Sequence, residues 1–162
     1  MKELVAALLP GVLTIPFGIL FIKIYNESKV KKAQKERLFF CQNRLHQVAL
    51  LFRNECMAET KKVIARYTAA INWKSYRHDW SFDFVRDYRK AIDSLKKDYL
   101  GNYAMTYSGG DARLSMEAED LPAYVLDEYE AEVSEIANTF YDLGCCMIEQ
   151  IEELKQKANE KS

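Results

Sequence analysis

Hydrophobic positions along this chain follow two regimes. Leu4 to Ile22 is nineteen consecutive residues without a charge, LVAALLPGVLTIPFGILFI, whereas beyond Lys23 apolar positions recur three and four residues apart with Lys, Arg, Glu and Gln between them. The first regime predicts a bilayer-spanning helix: at roughly 1.5 Å per residue it reaches about 28 Å, against a hydrocarbon thickness of about 30 Å. Pro10, Gly11, Pro16 and Gly18 would break a soluble helix but are frequent in membrane spans. A secretory h-region is shorter, about 7 to 15 residues, and ends in a small-residue cleavage site. This stretch leads instead into Lys23-Ile24-Tyr25-Asn26-Glu27-Ser28, so residues 1–25 are expected to form an uncleaved anchor.

The second regime predicts three amphipathic helices. Between Asn26 and about Trp73 there is no Gly or Pro, and Leu38, Cys41, Leu45, Val48, Phe52, Cys56, Val63, Tyr67 and Ile71 share one face. A second helix is expected from Ser81 to Leu100, with Val85, Tyr88, Ile92, Leu95 and Tyr99 inward and Gly101-Asn102 as its stop. A third should start near Asp120, with Pro122 in its first turn, and carry the stripe Leu126, Tyr129, Val133, Ile136, Phe140, Leu143, Met147, Ile151 and Leu154. Alternating three- and four-residue steps sustained this long predict a coiled-coil-like packing seam, for which Tyr129 through Leu154 are the candidate residues. The stretch between the second and third helices, Gly101 to Leu114 with Gly109-Gly110, reads as an irregular connector.

Charge orients the anchor. Lys23, Lys29, Lys31, Lys32, Lys35 and Arg37 follow the apolar stretch, against Lys2 alone before it, and Lys and Arg beside a span stay on the cytoplasmic side. The N-terminus is therefore expected outside and the body in the cytoplasm, at the inner membrane in a bacterium, and the same basic residues suit anionic lipid headgroups. The net charge of −1 conceals a segregation: residues 1–110 carry 19 basic and 10 acidic residues, whereas residues 111–162 carry 14 acidic and 4 basic. A basic first helix and an acidic third helix attract one another within one domain.

Candidate chemistry is sparse. Cys41, Cys56, Cys145 and Cys146 have no zinc-site spacing, and in a reducing cytoplasm they read as small core residues. His46, His78 and Asp79 loosely resemble the ligand order of HD-type phosphohydrolases; a half-buried His46 with a backbone partner and a helix-capping Asp79 explain the same residues. No nucleophile elbow, phosphate loop or zinc-protease motif occurs. Trp73, Tyr76, Trp80, Phe82, Phe84 and Tyr88, interleaved with basic residues, read as packing at a helix-to-helix corner rather than as a single-strand nucleic-acid platform.

The expectation is thus an all-α protein, a single transmembrane helix followed over residues 26–162 by an antiparallel three-helix bundle. It would act by protein–protein binding at the membrane, with a protein partner or a second copy, and with no cofactor, metal, nucleic acid or small-molecule substrate. An accessory subunit of a larger membrane complex, a phage-type exclusion or immunity protein, and a tethered metal hydrolase are the alternatives.

Overall fold

The computed structural model describes the backbone of residues 2–72 and 80–159 and the side chains of residues 18–69, 81–150 and 152–153. Its elements are all helical: α1 (Lys2–Asn72), α2 (Trp80–Gly101), α3 (Tyr103–Ser108), α4 (Ala112–Glu119) and α5 (Ala123–Asn159). The chain divides inside α1 into two units, Met1–Cys41 and Gln42–Ser162. Among the described residues no helix is long and apolar enough to cross a membrane. Most of the Leu4–Ile22 stretch lies outside the described side chains, and Ile19 to Ile22, which lie within them, are exposed.

Packing in the second unit follows the periodicity that an unbroken helical sequence imposes. Along α1, Leu45, Val48, Phe52, Cys56, Val63 and Tyr67 are buried, and Thr60 joins them. The Thr60 hydroxyl donates to the Cys56 carbonyl at 2.7 Å, so its lone pairs accept from the Tyr88 hydroxyl at 2.9 Å. On α2 the inward residues are Phe84, Tyr88, Ile92 and Tyr99; Val85 and Leu95 are only half-buried. Phe52 meets Tyr99 at 5.2 Å between ring centroids, and Tyr67 meets Phe84 edge-on at 5.2 Å. Late positions of α1 thus face early positions of α2, so the two helices run antiparallel.

Helix α5 packs on both. Its Tyr129 hydroxyl donates to the Tyr99 carbonyl at 3.1 Å, and its Tyr141 hydroxyl donates to Asp93, again reversing the order along α2. Against α1, Gln42 donates to Glu128 at 3.3 Å and His46 faces Glu132 at 2.6 Å, both advancing in the same direction. The succession α1, α2, α5 is therefore up, down, up. No buried side-chain nitrogen or oxygen lacks a hydrogen-bond partner among the described residues, as an interior holding this many phenols requires.

The connector between α2 and α5 corrects the sequence expectation, because it is mostly helical. Gly109 takes φ 59° and closes α3 by donating its N–H to the Met105 carbonyl, and Gly110 takes φ 93°. These left-handed angles end one helix and let Asp111 open the next: its carboxylate accepts from the Arg113 N–H at 2.9 Å. The glycine pair that suggests a loop is thus a hinge between two short helices. Arg44 on α1 holds the connector down, its Nε donating to the Tyr107 carbonyl at 2.8 Å in the last turn of α3. Asp120 ends α4 rather than opening the final helix, which begins at Ala123 after Pro122.

Candidate interaction surface

Of the three residues that suggest a metal site, only His46 lies among the described residues. His46 is exposed, and its partner is the Glu132 carboxylate on α5, not a backbone group. His78 and Asp79 lie outside the described residues, as do Trp73 and Tyr76. Among the described residues no group of three or more His, Cys, Asp or Glu could hold a metal ion.

The seam residues of α5 divide. Tyr129, Val133 and Phe140 are buried, Ile136 and Met147 are half-buried, and Leu143 is 40% exposed; the side chains of Ile151 and Leu154 lie outside the described residues. Burial passes instead through Val125, Ala137 and Gly144, which with the first three recur mostly four apart. Gly144 is inward because α5 lies so close to α2 there that a Cβ would stand 2.6 Å from two ring carbons of Tyr88. The stripe is thus rotated toward α2 relative to the one hydropathy selects, and Leu143 is turned outward.

Among the cysteines, Cys41 and Cys56 are buried, but Cys145 and Cys146 are exposed on α5. Core roles for the last two are therefore corrected: they follow Gly144 by one and two residues, about 100° and 200° around the helix from its inward direction. Burial, reinforced by the neighbouring Glu55, pushes the Cys56 thiol up to about 12. Burial likewise raises the Tyr88, Tyr99 and Tyr129 phenols, and takes that of Tyr141 up to about 12 with help from the Asp93 carboxylate. Asp87 is lowered, first because the Tyr67 hydroxyl donates to it and then by Arg86. These groups hold the helices together, and Tyr88 and Tyr141 also line a small gap between α2 and α5.

Between α2 and α5 a cleft of about 100 Å³ is lined by Val85, Tyr88, Arg89, Tyr141, Gly144 and Cys145. Ligand pockets enclose about 300 to 1,000 Å³, so this cleft is a packing gap, roofed by the Arg89 guanidinium over the Tyr141 ring at 5.4 Å.

The surface is more informative than the interior. In the first unit Lys23, Lys29, Lys31, Lys32, Lys35 and Arg37 are all exposed; Lys29 lies 4.7 Å from the centre of the Tyr25 ring, and Lys32 pairs with Glu36 at 3.9 Å. In the second unit large apolar side chains stand in solvent on α1 and α5, Leu50 at 39%, Met57 at 42% and Leu143 at 40%. Comparison with family models, curated proteins and solved structures found no match. The surface residues on α1 are hidden from a search for one stripe per helix; their signal is Leu50 and Met57, seven apart and beside the buried stripe rather than within it.

Proposed function

We propose that the protein is a single-pass, membrane-anchored helical interaction module, the Leu4–Ile22 stretch being its span and the three packed helices its binding body. The observation that carries the reading is the uncharged nineteen-residue run followed at once by six exposed basic residues on one continuous helix. The body would face the cytoplasm, with Lys23 to Arg37 against anionic headgroups. Tethering confines the helical surface to the membrane plane and raises the concentration at which it meets a partner. The long α5 stripe and the up, down, up order support a bundle built for packing rather than for chemistry.

Fusing a reporter active only in the outer compartment to the C-terminus tests the orientation. Silence of that reporter, with activity of a cytoplasmic counterpart, is the expected result; strong outer activity would overturn it. Replacing Lys29, Lys31, Lys32 and Lys35 with Gln should weaken the preference. Replacing His46 and His78 together with Ala should leave partner binding and folding intact, and a folded double variant that no longer functions would replace the binding reading with a catalytic one.

A further inference from the structure

The pairs Gln42–Glu128 and His46–Glu132 set α1 and α5 parallel, with each α1 residue level with the α5 residue 86 positions later. At about 100° per residue, Leu50 and Met57 lie within about 40° of His46 around α1, and Ile136 and Leu143 within about 40° of Glu132 around α5. These four residues therefore continue one line along the outer side of the two helices, three of them two-fifths exposed and Ile136 half-buried. Scattered apolar residues on a surface need no explanation; these four stand level in pairs, Leu50 with Ile136 and Met57 with Leu143. On the α1 side Lys61 borders the strip, about 60° from His46, and Arg53 stands within it, about 20° from His46 toward α5; on the α5 side it is bordered by Glu135, Asp142 and Glu149 at seven-residue spacing, all five exposed and none in a described ion pair.

We propose that this strip is the contact with a second copy of the chain, the copies being related by a two-fold axis along the helices. That operation sets α1 of each copy against α5 of the other. Arg53, level with Thr139, falls midway between the other copy's Glu135 and Asp142, and Lys61, level with Met147, falls between its Asp142 and Glu149. Leu50, Met57 and Leu143 of the two copies close over one another. A two-fold axis across the helices would instead press α5 on α5, where Ala123 to Leu154 holds nine acidic residues and no basic one; like-charge juxtaposition excludes it. The proposal deepens the anchored reading and rests on it to this extent, that tethering in one membrane raises the concentration at which two copies meet.

Charge exchange tests the contact. The full chain in detergent should sediment as a dimer. Arg53→Glu with Lys61→Glu, and separately Glu135→Lys with Asp142→Lys, should each weaken self-association by about ten-fold or more, because each makes both meeting faces like-charged. Mixing the two variants, differently tagged, should restore pairing and co-purification, since each then meets its opposite. A monomeric wild type, a dimer unchanged in both variants, or folded variants that fail to pair on mixing would each overturn the proposal. Cross-linking between Met57→Cys and Leu143→Cys copies, in a Cys145→Ser, Cys146→Ser background, reads the same contact without changing charge, and its absence would count equally against it. Membrane extraction of the same chains measures the anchor separately, so failure of one leaves the other standing.

Discussion

Gly144→Ala sets two effects of opposite sign against each other. In a helix interior, alanine is favoured over glycine by about 1 kcal/mol. At this position, however, the new methyl would stand 2.6 Å from two ring carbons of Tyr88, well inside the ordinary contact of about 3.5 to 4.0 Å. The ring has little room to retreat: it is 2% exposed, stacked on Phe84 at 5.8 Å, and held by its hydroxyl to Thr60 at 2.9 Å. Overpacking of this kind costs about 1 to 3 kcal/mol, so at the upper end the net loss is about 1 to 2 kcal/mol and the melting temperature should fall by roughly 3 to 8 °C. Gly101→Ala is the control, since no atom lies within 4 Å of its added methyl, and it should melt at or slightly above the wild type. Combining Gly144→Ala with Tyr88→Leu should be less damaging than the sum of the two changes. Circular dichroism melts of the full chain decide the matter. A Gly144→Ala variant as stable as the wild type would refute the close approach of α2 and α5 and the rotated stripe with it.

Thiol labelling followed by mass measurement should modify Cys145 and Cys146 in the native protein, and Cys41 and Cys56 only in denaturant; rapid native labelling of all four would contradict the core. Because the fold raises Tyr88, Tyr99, Tyr129 and Tyr141 above their ordinary value of 10.0, it favours their neutral form, so this stability is complete below about pH 10 and is lost as pH rises through the folded values. Their tyrosinate absorbance should therefore appear together with loss of helicity, whereas ionisation near pH 10 with helicity intact would contradict their burial. Phe140→Ala should destabilise the body by about 3 to 5 kcal/mol in denaturant titration, and a change under 1 kcal/mol would remove Phe140 from the packing seam.

The inward face of α1 was legible because nine apolar positions from Leu38 to Ile71, with charged residues between them, admit only one buried stripe. On α5 large residues compete: hydropathy ranks Leu143 above Gly144, but packing distance, which a sequence does not display, selects the residue without a side chain. Gly109 and Gly110 mislead for a related reason, since a glycine pair marks a change of direction without saying whether loop or helix lies on either side. Asp111 two residues before Arg113 was the missed capping signal. The His46–Glu132 pair joins residues 86 apart in sequence, and no local pattern announces it. The strip with Arg53 within it and Lys61, Glu135 and Asp142 at its borders becomes visible only once the register of α1 against α5 is known.

Retention of the full chain by membranes washed with alkaline carbonate is the most direct test of the anchored-module account. An integral span resists that wash even where the body unfolds, so the protein should remain in the membrane pellet, and deletion of Leu4 to Ile22 should release it to the supernatant. Quantitative release of the intact chain by the wash would contradict the account.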